Sequence, residues 1–148
     1  MTGRPAGERG VDSPDPWVAD HIRRLVATGG QAREGVDDLL LTTRGRRSGL
    51  LRRTALVYVR DGGRWIVTGS NRGADRHPAW YLNLVAEPRV TVEIGGQAFA
   101  ARARTATPAE KPRLWASMVA AMPSYRAYQE GTAREIPVVI IERVGDAG

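Results

Sequence analysis

Two tight-turn signals, Asp61-Gly62-Gly63 and Gly95-Gly96, constrain this chain most, because each lies between runs that read as β-strands. Glycine there supplies the backbone conformations that a short hairpin needs. Thr54 to Arg60 enters the first turn and Arg64 to Gly69 returns from it. Val90 to Ile94 alternates into the second turn, and Gln97 to Thr105 comes back. Upstream, Val36 to Thr43 holds the apolar run Leu39-Leu40-Leu41 and reads as a buried strand. Ile136 to Glu142 closes the set of about six strands. Helical segments fall between hairpins without the strict strand–helix alternation of a doubly wound parallel sheet. The expected class is therefore mainly β with helices (α+β), an antiparallel barrel with helices packed outside.

The helices have their own signatures. Trp17, Val18, His21, Ile22, Leu25 and Val26 recur at intervals of three and four, giving a helix over about Pro16 to Thr28 that Gly29-Gly30 ends. His77 to Ala86 reads as a short helix with Pro78 in its first turn. Thr107-Pro108-Ala109-Glu110 opens a helix running to about Met122, with Thr107 and Glu110 spaced as a capping box. A short helical segment or turn follows from Pro123. Residues 1–13 are polar and rich in Gly and Pro, so disorder is expected there, with one domain over 14–144 and a tail at 145–148.

Composition excludes several chemistries. The chain has no cysteine, and its two histidines, His21 and His77, are far apart, so disulfides, a catalytic thiol and a zinc or haem site are not expected. No run approaches the ~20 apolar residues that cross a bilayer, and the N-terminus lacks the apolar stretch of a secretory signal, so a cytoplasmic protein is expected. The net charge is +6, with 21 Arg against one Lys. That balance suggests an anionic partner, but a GC-rich genome alone also favours Arg, so position must decide.

Position points first to Arg44 through Arg53, where five arginines fall within ten residues on a Gly-bearing turn. Guanidinium forks match phosphate and carboxylate oxygens, and Ser48 with exposed amides can complete an anion nest. Neither a Walker loop nor a GxGxxG fingerprint is present. The competing reading is a solvated turn. A nucleic-acid module is a further option, but the turn lacks interleaved aromatics and the remaining charge is mixed, so nucleic acid is not expected as a partner.

Two more clusters follow. Thr68-Gly69-Ser70-Asn71 ends a strand with small residues that permit close approach of a flat ring, and Trp80 and Tyr81 are candidate walls, with core packing the alternative. Tyr125 and Tyr128 lie three apart on one helical face, where a phenol can stack or supply a proton, or can simply pack on the barrel.

In order and spacing, these pieces resemble a known family. They are Leu40-Leu41-Thr42-Thr43-Arg44-Gly45-Arg46-Arg47-Ser48-Gly49, Arg53-Thr54, Asp61-Gly62-Gly63 and Ser70-Asn71-Arg72-Gly73-Ala74, then His77-Pro78-Ala79-Trp80-Tyr81-Leu82-Asn83-Leu84, Pro88-Arg89-Val90 and Arg134-Glu135-Ile136-Pro137-Val138. The set, covering about residues 16 to 143, is similar to the deazaflavin-dependent nitroreductases of actinobacteria, within the flavin/deazaflavin oxidoreductase superfamily. The resemblance implies a split, FMN-binding-like β-barrel that binds coenzyme F420 and passes a hydride to a quinone, enone or nitro compound. It implies that Arg46, Arg47, Ser48, Arg52, Arg53 and Thr54 hold the coenzyme's phosphate and polyglutamate tail. Ala55, Thr68, Gly69, Ser70, Asn71, Ala79, Trp80, Tyr81, Leu82 and Asn83 would line the deazaflavin. Val57, Met122, Tyr125 and Tyr128 would form the acceptor pocket, with Ser70 and Tyr125 as catalytic candidates. The family's nitroimidazole reductases carry tyrosines where this chain has Val57 and Met122, so a more apolar pocket is expected here.

Three alternatives stay open at this stage: an FMN-binding relative, a non-catalytic deazaflavin carrier and the nucleic-acid module. Monomer and homodimer are both compatible with the sequence. The N-terminal helix mixes apolar and basic residues, which makes it a candidate for peripheral membrane contact, with packing onto the barrel the favoured expectation.

Overall fold

The computed structural model describes residues 11–12 and 38–144. The expected helix over Pro16 to Thr28, its membrane contact and the C-terminal tail lie outside the described residues, as do residues 1–10 and 13 of the segment expected to be disordered, whereas Val11 and Asp12 within it pair as a short strand. The strands are β1 (Val11–Asp12), β2 (Asp38–Arg44), β3 (Leu51–Val57), β4 (Val59–Asp61), β5 (Arg64–Thr68), β6 (Arg89–Ile94), β7 (Gln97–Thr105) and β8 (Val138–Arg143). The helices are α1 (Ala79–Ala86), α2 (Lys111–Ala121) and α3 (Ser124–Glu130), with a 3-10 turn at Asn71–Gly73.

One sheet runs in the order β1-β3-β2-β6-β7-β8-β5-β4. Every pair is antiparallel except the two-residue pairing of β1 with β3. The sheet curls, because β3 and β5 approach each other although β2, β6, β7 and β8 lie between them. Alternation on β8 shows why. Val139 and Ile141 join Leu39, Leu41, Val67 and Val92 in one core, which Leu84 of α1 also enters. Val138 and Ile140 face the other way, with Ile66, against Leu114 and Met118 of α2 and Tyr125 of α3. A strand buried on both faces needs an unbroken apolar run, and Val138-Val139-Ile140-Ile141 supplies it.

Two local readings change. The second strand begins at Leu51 rather than Thr54 and breaks at Tyr58 into β3 and β4. Leu51, Arg52 and Arg53 pair with Arg44, Thr43 and Thr42, so backbone pairing extends through a charged stretch that looked like turn. The capping box forms as expected. Thr107 N donates to Glu110 Oε1 at 2.9 Å and Glu110 N donates to Thr107 Oγ1 at 3.2 Å, and the regular helix starts just after, at Lys111. Arg104 also grips Glu110, and its guanidinium, helped by the Thr107 amide, holds that carboxyl down to about 2.

Candidate functional site

The gap between β3 and the segment after β5 opens into a cavity of about 670 Å³, roofed by the start of α1 and by α3. Small-molecule sites commonly enclose roughly 300–1,000 Å³. The cavity is cationic at one end and apolar at the other.

The cationic end is built by the turn from Gly45 to Leu50. Gly45 N donates to Leu50 O (2.7 Å), Gly49 N to Gly45 O (2.9 Å) and Arg44 Nη1 to Gly49 O (2.6 Å). Gly49 takes φ +73, which favours glycine. Ser48 Oγ accepts from Leu50 N at 3.1 Å. Buried Asn83, on α1, ties the turn down: its Oδ1 accepts from Arg46 N (3.1 Å) and Arg46 Nη1 (3.3 Å), and its Nδ2 donates to Thr43 Oγ1 (3.2 Å). Asn83 borders the cavity, but its amide is spent on the turn rather than left for a ring.

Arg46, Arg47, Arg52, Arg53 and Arg72 line this cavity, and among the described residues no Asp or Glu does. Some arginines elsewhere meet carboxylates: Arg64 and Arg113 meet Asp61, Arg89 meets Glu87, and Arg104 meets Glu110. Among the described residues, Arg47 and Arg52 have no such partner. Five guanidinium groups gathered on one cavity suit a ligand with several negative charges.

The apolar end takes Ala55, Leu56 and Val57 from β3, Pro78, Ala79 and Trp80 at the start of α1, and Met122, Tyr125 and Tyr128 around α3. Tyr125 is buried, with its ring 6.2 Å from Tyr128 and 6.4 Å from Trp115. Thr68 lines the cavity with its hydroxyl buried and, among the described residues, without a hydrogen-bond partner. An unpaired buried hydroxyl costs about 1–3 kcal/mol, which a polar ligand atom would recover. Ser70, Asn71 and Arg72 complete the wall. Asn71 and Arg72 take φ 47 and φ 55, a conformation uncommon outside glycine. Asn71 Nδ2 secures its own position on Arg76 O at 3.1 Å.

Thus the cavity gathers Thr54 and most of the residues singled out from sequence, but not Gly69, Tyr81 or Leu82. Gly69 is behind the wall, its amide on Pro137 O at 2.9 Å. Tyr81 turns away, its hydroxyl 2.8 Å from Thr105 Oγ1 and its ring against His77. Leu82 is half-buried outside the lining. Sequence reasoning passed over Leu56, Arg72 and Pro78 as lining residues. Arg72 lies inside the recognised Ser70–Ala74 motif, and its strained backbone is the signal that was hidden. Among the described residues no group of three or more His, Cys, Asp or Glu could hold a metal ion.

Comparison with known proteins fits this geometry. The family model for F420H(2)-dependent quinone reductases matches residues 17–143. The F420H(2)-dependent quinone reductase of Mycobacterium tuberculosis (strain ATCC 25618 / H37Rv) is 37% identical over 108 residues, covering 71% of this chain and 72% of that protein. A solved F420-H2 dependent reductase superposes with a TM-score of 0.66 at 31% identity, covering 92% of this chain and 100% of its own. A second solved structure, described as a domain-swapped dimer, gives 0.67 at 34% identity over 88% of this chain and 100% of its own. The curled sheet is the split β-barrel of these reductases, and the chain belongs to the F420H(2)-dependent quinone reductase family.

Proposed function

We propose that the cavity holds reduced coenzyme F420 and that the chain uses it to reduce a quinone-type acceptor. The observation that carries this reading is the set of five lining arginines with no carboxylate among the described lining residues. A phosphate followed by several glutamate carboxylates needs such a spread of cations, whereas FMN brings a single phosphate. The orphan Thr68 hydroxyl fits the polar edge of a ring at the other end.

When bound, the deazaflavin supplies two electrons as a hydride. Arg46, Arg47, Arg52 and Arg53, with Ser48 and Thr54, would bind the phosphate and carboxylates. Ala55, Thr68, Ser70, Asn71, Ala79 and Trp80 would flank the ring, so that orientation is fixed before an acceptor arrives. Val57 and Met122 would exclude water from the acceptor side and favour flat, apolar compounds. Reduction of a quinone carbonyl builds negative charge on its oxygen, which the Ser70 and Tyr125 hydroxyls would stabilise or protonate.

Anaerobic mixing of the enzyme, reduced F420 and a water-soluble quinone tests the reading. Enzyme-dependent return of oxidised-coenzyme absorbance is expected. Tight binding with no oxidation would instead make the protein a carrier. Thr68→Val should act in opposite directions on two readouts. The ligand-free protein should gain about 1 kcal/mol in urea unfolding, because an unpaired buried hydroxyl is removed, while coenzyme affinity falls. Loss of stability together with unchanged affinity would show that Thr68 has no ligand to meet.

A further inference from the structure

The wall carrying Ser70, Asn71 and Arg72 is held by a residue that does not touch the cavity. Arg134, in the segment between α3 and β8, donates from Nε to Ala74 O (3.0 Å), from Nη1 to Gly69 O (3.0 Å) and from Nη2 to Ser70 O (2.8 Å). Its Nη1 also lies 2.9 Å from His77 Nδ1. A guanidinium has no acceptor, so this contact requires Nδ1 to be unprotonated. The Arg134 backbone is fixed in turn, since Gln129 of α3 donates from Nε2 to Arg134 O at 2.7 Å and accepts from Ile136 N at 2.9 Å. Gly73 packs directly on the Tyr128 main chain. Arg134 therefore joins the two sides, its side chain holding Gly69 and Ser70 at the wall and its main-chain carbonyl holding Gln129 of the helix that carries Tyr125 and Tyr128.

We infer that Arg134 is a positioning residue that sets the width of the cavity, and that it does so only while His77 is neutral. Protonating Nδ1 replaces an acceptor with a donor and places a second cation against the guanidinium. Among the described residues, His77 meets Arg134 from the segment before β8 and the Tyr81 ring on α1 at 4.9 Å, and the charged Asp75 and Arg76 precede it on its own loop. Asp75 accepts from Thr132 Oγ1 at 2.7 Å, and its field acts on Arg134. Burial first, and the Arg134 charge second, depress the imidazole below its ordinary 6.5. The sign follows: the clamp is whole at neutral pH and is lost as pH falls below 6.5 through the depressed value.

This inference rests on the coenzyme reading only for its binding readout, so the test has two arms. In the first, coenzyme F420 affinity of the wild type should fall about tenfold between pH 7.5 and pH 5.5, the loss of one charge-assisted hydrogen bond. His77→Asn keeps an acceptor oxygen but cannot titrate, and should hold its affinity across the same range. In the second arm, amide exchange over residues 69–76 of the ligand-free protein should accelerate in Arg134→Lys at pH 7.5 while the strands keep their protection. It should also accelerate in the wild type at pH 5.5 relative to His77→Asn at that pH. A wild-type affinity that ignores pH, a His77→Asn variant that falls in parallel, or unchanged exchange over 69–76 in Arg134→Lys would overturn the inference. If the wild type binds no coenzyme at pH 7.5, the reading of the cavity fails, and the exchange arm still decides the clamp.

Discussion

Replacing Arg47 and Arg52 together by alanine is expected to lower coenzyme F420 affinity by about 100-fold with little effect on folding. Both line the cavity, and among the described residues neither spends its charge on a protein carboxylate. A charge-assisted hydrogen bond is worth about 1.5–3 kcal/mol, with less realised at the exposed rim, so two lost contacts amount to about 3 kcal/mol. Exposed changes without partners stay within roughly 0.5 kcal/mol of wild-type stability. The variant should also lose much of the salt dependence of binding, since screening acts on the charges removed. Fluorescence titration at two ionic strengths, with a urea curve beside it, reads all three quantities. Affinity within about twofold of wild type would remove these arginines from the site.

The second large effect is expected at Gly73, where stability and cavity shape are linked. Gly73 has φ +82, and a Cβ there would meet Tyr128 Cα at 3.2 Å and Tyr128 O at 3.3 Å. Gly96 also has φ +82 but nothing within 4 Å, which makes it a control with the same backbone strain and no neighbour. Gly96→Ala should cost about 1–2 kcal/mol. Gly73→Ala should cost roughly 2–5 kcal/mol, because overpacking against main chain adds to that strain. It should also lower turnover, since the relief available is to push α3, with Tyr125 and Tyr128, away from the wall. Equal losses for the two variants would mean that the contact carries no load.

The hairpins, the strand pairs around them and the capping box were legible because each depends on local chemistry. Gly95-Gly96 and Thr107 with Glu110 specify their own geometry whatever the rest of the chain does. The limits of β3 were not legible, because pairing of Arg52 and Arg53 with Thr43 and Thr42 is set by the partner strand, and charge on the pair hides it. The composition of the site was readable from the resemblance, yet the tasks of its members were not. Asn83 reads as a ring contact, and its amide also secures Arg46 and Thr43 across a sequence separation of about 40, a task the sequence does not show. Tyr81 reads as a wall and faces Thr105. Arg134 was visible as part of a motif, but its clamp on Gly69, Ser70, Ala74 and His77 exists only once β8 lies beside β5. Long-range hydrogen bonds of this kind leave no periodicity to read.

Parallel titration of the purified protein with coenzyme F420 and with FMN, at low ionic strength and neutral pH, tests the central claim most directly. Saturable F420 binding that is much tighter than FMN binding and weakens with added salt is expected from a cavity lined by five arginines. FMN binding as tightly as F420, or F420 failing to bind a folded sample, would contradict it.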